Sequence, residues 1–254
     1  MGSRIVVPES PSLYQIETRI REALALPLPG AAAHLNLAPR PRRGWHPSHV
    51  PAGARAAAGL VLLYPRDERP HVLLTVRSGA LPQHGGQVSL PGGKVEPEET
   101  IRDAALREAA EEVGLEPAAV RVLGALSTLY IPVSDFALHP VVGVADACPA
   151  FRRRSSEVAR IVDVPLALLL GPRGAARQGA VWRRGERVLV PYFEVLSERV
   201  WGATAMILAE LLALLGAAPA DPWGAGAEAG MGVAPERPAP APGARGRVRQ
   251  ESAP

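Results

Sequence analysis

Arg107, Glu108, Glu111 and Glu112 crowd into six consecutive positions near the middle of the chain. On a helix, residues three and four apart are neighbours, so Glu108 lies beside both Glu111 and Glu112. Like charges at those spacings weaken a helix, and three of them ask for a purpose. Hard carboxylate oxygens are the ligands that Mg²⁺ and Mn²⁺ take up, and a bound cation would remove the repulsion. Arg107, four residues before Glu111, is placed to hold that carboxylate. The plain alternative is a solvated charged face, which is what most charge runs are.

The flanking residues weigh against that alternative. Leu90-Pro91-Gly92-Gly93 breaks any preceding strand and provides a turn where backbone can come close to a ligand. From Thr100 to Val113 the residues favour helix, with Ile101, Ala105, Ala109 and Val113 recurring along one side. Gly114 stands where a left-handed cap would stop the helix. The segment therefore reads as loop, helix, stop. A divalent ion held there would polarise a phosphoryl oxygen and acidify a water, and a neighbouring carboxylate would orient or deprotonate that water.

Gly93 to Leu115, GKVEPEETIRDAALREAAEEVGL, resembles the Nudix box, G-x5-E-x7-R-E-U-x-E-E-x-G-U with U a bulky aliphatic residue. Gly93, Glu99, Arg107, Glu108, Glu111, Glu112, Gly114 and Leu115 stand at the pattern's fixed places. Ala109 is a small residue at the first U position. The resemblance implies an α/β fold, an α/β/α sandwich around a mixed β-sheet with a catalytic loop–helix–loop. It implies Mg²⁺ or Mn²⁺ bound chiefly by Glu108 and Glu112, with Glu111 as a further ligand or as the base. Glu99 and Arg107 are implied as supports for the site. Hydrolysis of a pyrophosphate bond is the implied reaction.

Selectivity has to come from outside the box. Leu73 to Gly93, LLTVRSGALPQHGGQVSLPGG, resembles the signature LLTxRSxxLRxHxGQVxFPGG of the coenzyme A pyrophosphatase branch. Pro82 replaces its Arg and Leu90 its Phe. Pro140-Val141-Val142-Gly143, Glu157-Val158 with Val164-Pro165-Leu166, and Trp201-Gly202-Ala203-Thr204-Ala205 resemble further stretches of that branch. The implied substrate is coenzyme A or an acyl or oxidised derivative, giving 3′,5′-ADP and 4′-phosphopantetheine or its acyl form. Arg77 is the candidate phosphate contact, and Gly92 and Gly93 line the implied substrate loop. An ion pair of Arg77 with a carboxylate such as Glu99 reads equally well. His84 and Gln87 either shape the substrate loop or share a turn hydrogen bond. Another nucleoside diphosphate derivative, such as ADP-ribose or a dinucleotide cofactor, is the alternative substrate. A non-catalytic sensor or nucleic-acid module on the same fold is a reading of another class, which the intact box carboxylates oppose.

The rest of the chain must position these groups. Ser12 to Leu26 reads as a short amphipathic helix, followed by a Pro-, Ala- and Arg-rich connection from Pro27 to about Arg55. Ala57–Tyr64 and His71–Arg77 flank PRDERP and read as a hairpin. Val120–Leu129, His139–Val144 and Val188–Val195 read as strands, and Trp201–Leu215 as a final helix. Residues 1–54 form a lead-in, 55–215 the hydrolase domain and 216–254 a disordered Ala/Pro/Gly-rich tail. The 254 residues carry a formal net charge of +3, which suits an anionic substrate but selects none. Arginine supplies that charge, since Lys94 is the single lysine. Cys148 is the single cysteine, excluding an intrachain disulfide and favouring a reducing, cytoplasmic setting. No stretch of Met1–Ser12 resembles a signal peptide, and Ala203–Leu215 is too short and too interrupted by Glu210 to cross a bilayer. The expected partner is a small molecule rather than a membrane or a nucleic acid, and a homodimer is compatible.

Overall fold

The computed structural model describes residues 11–217 and 222–223, apart from 43, 48, 82–83, 172–175 and 184. Two helices come first, α1 (Leu13–Leu24) and α2 (Gly30–Leu37). A long antiparallel hairpin follows, β1 (Arg55–Arg66) and β2 (Arg69–Arg77), closing at Arg66 opposite Arg69. The short strands β3 (Val88–Ser89) and β4 (Gly92–Lys94) lead into α3 (Ile101–Val113). Beyond it lie β5 (Arg121–Ala125), β6 (Leu129–Ile131), β7 (Phe136–Val144), β8 (Val158–Pro165) and the short helix α4 (Leu166–Leu170). The chain continues through β9 (Arg177–Arg183), β10 (Glu186–Val195) and β11 (Glu198–Trp201) to α5 (Ala203–Leu214).

Among the described residues eight strands make one mixed sheet. Its path is β3-β2-β1-β7-β5, with β4 against β1, β6 against β7 and β8 against β2. β1 and β7 run parallel, and the other pairs are antiparallel. Ala57 to Tyr64 are buried without interruption, as a strand covered on both faces requires. Alternation then sorts the side chains. Ala58, Leu60, Leu62 and Tyr64 pack on α3, while Val61 and Leu63 join the opposite layer with α1 and α5. Helix, sheet and helix give the sandwich that the box implied. β9, β10 and β11 form a second, antiparallel sheet beside it.

Three expectations need correction. The connection after Pro27 contains α2, whose small apolar residues pack on α5 and leave no amphipathic stripe to read. Val120–Leu129 is not one strand. β5 stops at Ala125 because Ser127 turns its N–H away from the ladder toward the carboxylate of Glu210. Trp201 closes β11 opposite Tyr192, and Gly202, at φ +66°, starts α5 two residues later than expected. Of the segment read as a tail, Gly216, Ala217, Pro222 and Trp223 are described. Arg40 lies 4.0 Å from the centre of the Trp223 ring. The rest of that segment, like Pro82, lies outside the described residues. No described helix is long and apolar enough to cross a membrane. Cys148 is exposed.

α5 is apolar on nearly every side and correspondingly buried, yet it carries Glu210 with no exposed surface. Its carboxylate accepts hydrogen bonds from the Gly30 N–H at 3.1 Å and the Ser127 N–H at 3.2 Å, and meets His34 Nε2 at 2.9 Å. Burial pushes this carboxyl upward, but the hydrogen bonds from His34 and Ser127 outweigh it and hold it below its ordinary 4.5. A group with a depressed folded pKa stabilises fully above 4.5 and loses that contribution as pH falls through the folded value. Glu210→Ala should therefore cost about 3–5 kcal/mol in chemical denaturation, by stranding buried donors. Glu210→Gln should flatten the acid limb of stability against pH, and an unchanged limb would show that the carboxylate is not ionised in the fold.

Candidate active site

The turn before α3 is built by close approach. Gly92 and Gly93 pair with Gly59 and Ala58 of β1, and the Leu60 N–H donates to Pro91 O at 2.9 Å. A Cβ on Gly92 would lie 2.3 Å from Ala58 O. A Cβ on Gly93 would lie 2.5 Å from the carboxylate carbon of Glu108. Any other residue at either position would push the turn off the sheet or push Glu108 off the turn.

α3 is capped at both ends. Thr100 Oγ1 accepts the Asp103 N–H at 3.1 Å, and Gly114 at φ +68° ends the helix. Ala105, Ala109 and Val113 of the expected apolar side are buried, joined by Ala104 and Leu106, while Ile101 is half-buried. Three alanines in this face let the helix backbone approach β1 closely. Glu112 is buried with them, 6% exposed.

The three box glutamates part company. Glu112 turns toward the sheet, where its Oε2 receives the Gly92 N–H at 3.3 Å. Burial pushes its carboxyl up to about 7, against the opposing pull of Arg77 and the Gly92 N–H. Glu108 lies over Gly93, and burial raises its carboxyl too, with the Arg107 hydrogen bond pulling the other way. The Glu111 side chain is 59% exposed and meets Arg107 Nη1 at 3.4 Å, the same nitrogen that donates to Glu108 at 2.8 Å. Glu111 thus keeps to the Glu108 side of the helix, while Glu112 turns inward. Each helical residue turns 100°, so Glu111 and Glu112 point to different sides even though each is within a turn of Glu108. As the side chains stand, no three His, Cys, Asp or Glu groups among the described residues gather closely enough to hold a metal ion.

Arg107 meets Glu111, as the spacing predicts, but its shorter bonds tie loop to helix. Its Nε and Nη2 donate to the two oxygens of Glu99 at 2.8 and 3.1 Å. Nη1 donates to Glu108 at 2.8 Å, and Nη2 also reaches Lys94 O at 3.0 Å. This forked pairing leaves Glu99 below the ordinary carboxylate range. It also leaves no place for Arg77 on Glu99.

Arg77 pairs instead with Glu157, Nη2 to Oε2 at 3.5 Å. Its Nε is buried and has no hydrogen-bond partner. The backbone of Arg77 is clasped by the 84–87 turn: its N–H donates to Gln87 O at 2.9 Å, and its carbonyl accepts the Gly86 N–H at 3.0 Å. His84 Nδ1 and Gln87 Oε1 lie 3.0 Å apart within that turn. These two side chains thus make the turn hydrogen bond, and the turn seats Arg77. Glu157 was noticed in the sequence only as part of a resemblance. Nothing in its local spacing shows that it faces Arg77, eighty residues away.

A family model of the NUDIX domain matches residues 53–158. An uncharacterized Nudix hydrolase NudL of Shigella flexneri is 38% identical over 172 residues, 66% of this chain and 87% of its own length. The chain belongs to the Nudix hydrolase family. A NudL of Escherichia coli O6:H1 is 39% identical over 168 residues, 65% of this chain and 85% of its own. A solved Nudix hydrolase of M. smegmatis, RenU, overlays with a TM-score of 0.41 at 28% identity, covering 46% of this chain and 73% of that one. Nudix hydrolases generally use divalent cations such as Mg²⁺ or Mn²⁺, and the donors here suit one. Glu108 and Glu112 stand four residues apart on α3 and offer the hard carboxylate oxygens that such an ion takes. Millimolar Mn²⁺ should raise the melting temperature of the wild type. Gly93→Ala should remain helical by circular dichroism but lose most of that increment, and a full increment would show that Glu108 need not lie on the turn.

Proposed function

We propose that this Nudix hydrolase cleaves the pyrophosphate of coenzyme A, or of its acyl or oxidised derivatives, to 3′,5′-ADP and 4′-phosphopantetheine or its acyl form. The observation that carries the reading is the place of the segment Leu73 to Gly93. The stretch that resembles the coenzyme A pyrophosphatase signature runs through the end of β2, the 84–87 turn, β3 and β4. It delivers Arg77 beside Glu112 and Gly92-Gly93 beneath Glu108. Residues of that segment and the box carboxylates are thus neighbours, which supports the reading.

In this reading Glu108 and Glu112 hold the divalent cation, Mg²⁺ or Mn²⁺. Glu111, exposed and lightly held, serves as a further ligand or as the base. When bound, the cation polarises a phosphoryl oxygen and lowers the pKa of water. Arg77, whose side chain is 26% exposed, offers its guanidinium to a phosphate oxygen, a match of guanidinium to phosphate geometry. Water attacks one phosphorus, its proton passes to a carboxylate, and the bridging P–O bond breaks with its electron pair leaving on the departing phosphate. Glu99 and Arg107 keep Glu108 and the loop in register while charge moves. Gly92 and Gly93 let the diphosphate approach backbone without a side chain between. His84 and Gln87 act through the turn that seats Arg77.

A mass-spectrometric panel with Mg²⁺ or Mn²⁺ tests the substrate. It should show coenzyme A split into the two products ahead of ADP-ribose, dinucleotide cofactors and nucleoside triphosphates. Preference for ADP-ribose would remove the coenzyme A reading and keep the hydrolase. Glu112→Gln should lower kcat about 100-fold or more, the scale on which a catalytic acid–base or metal-linked group acts. Wild-type turnover in that variant would refute the site.

A further inference from the structure

Arg77 can meet a diphosphate only if something keeps it from collapsing onto the nearest buried carboxylate, Glu112. Its charge already acts on Glu112 strongly enough to oppose the effect of burial there. A guanidinium that turned fully toward Glu112 would neutralise a proposed cation ligand and vacate the phosphate position together.

Among the described residues the carboxylate paired with Arg77 is Glu157, and the surrounding backbone fixes both groups. β2 and β8 pair in register up to Val76 opposite Arg160, and then slip so that Arg77 faces Val158. Such a bulge at a sheet's rim re-aims the side chains beside it. The Ser78 N–H donates to Glu157 O at 2.5 Å, and the Glu157 N–H donates to Ser155 Oγ at 3.0 Å. Upstream, the same loop is sewn to the end of α3. The Arg154 N–H donates to Glu112 O at 3.0 Å and the Arg152 N–H to Val113 O at 2.8 Å. Glu157 therefore sits on a segment anchored at one end to the helix that carries Glu112 and at the other to the strand that carries Arg77. Its ion pair engages Nη2 alone. Nε is buried with no hydrogen-bond partner among the described residues, while the side chain as a whole stays 26% exposed.

We propose that Glu157 is a positioning residue for substrate: it draws the Arg77 guanidinium away from Glu112 and holds the exposed part of it toward an oxygen of the diphosphate. The proposal rests on the phosphate role given to Arg77 above. Glu157 touches neither water nor phosphorus in this scheme, so its removal weakens binding and spares the chemical step.

Steady-state kinetics on the substrate identified by the panel, with Arg77→Ala, Glu157→Ala, Glu157→Gln and the double alanine variant, provide the test. Glu157→Ala should raise KM about three- to fivefold, the scale of a partly exposed ion pair, with kcat within about twofold. Glu157→Gln, which keeps an acceptor and loses the charge, should fall between it and the wild type. Arg77→Ala should raise KM further, and adding Glu157→Ala to it should change nothing more, because the two act as one unit. The Glu157 side chain is 55% exposed, so the melting temperatures of its variants should match the wild type. A loss of kcat at unchanged KM in Glu157→Gln, or full additivity in the double variant, would overturn the positioning role. A silent Glu157→Ala beside an impaired Arg77→Ala would overturn it as well and leave the phosphate contact standing. A silent Arg77→Ala would instead remove the phosphate contact, and the proposal with it.

Discussion

The absence of two side chains controls the geometry of this protein's business end. Gly92 lies against the carbonyl of Ala58, and Gly93 lies under the carboxylate of Glu108, at separations no Cβ could occupy. The first contact seats the turn on β1, and the second brings the turn against the tip of a side chain of α3. The helix meets the sheet through a face of alanines, and Glu112 is carried inward with them, where its carboxylate meets the Gly92 N–H. Packing thus also tunes the site, because burial disfavours the charged form of Glu108 and Glu112 unless positive charge stands beside it.

Arg107 and Arg77 answer that demand from opposite sides and in different ways. Arg107 is saturated, with Glu99, Glu108 and the Lys94 carbonyl around it, so it behaves as a fixed brace between loop and helix. Arg77 is only partly satisfied. One guanidinium supports the scaffold, and the other has a donor left over. This difference separates the two arginines more sharply than their common charge unites them.

What could be read from the sequence was what depends on neighbours a few residues away. The glycine turn, the capped helix, the pairing of Glu108 with Glu112 and the β1–β2 hairpin all follow from local repeats. Spacing used alone reaches only part of the way. Arg107 does meet Glu111 four residues on, at 3.4 Å, but Glu99 takes the shorter, forked bonds because the loop folds back, and no helical repeat describes a loop. α2 was invisible because small apolar residues packed on a fully apolar helix leave no stripe. Glu210 looked like an interruption in an apolar run, whereas it gathers His34, Gly30 and Ser127 from 176, 180 and 83 residues away. Arg77 found Glu157 in the same manner. Long-range partners of single buried charges have no local signature.

The apolar layer behind the sheet draws on Ile16 and Ile20 at one extreme and on Leu211 to Leu215 at the other, while the NUDIX domain model matches residues 53–158. Excising that stretch would strip the sheet of α1, α2 and α5 and bare the row of Val61, Leu63, Val72 and Leu74 to solvent. The recognisable motif region is therefore no autonomous folding unit in this protein. Its flanks are the missing half of a shared interior, and a cloning boundary drawn from the motif would cut through the middle of it.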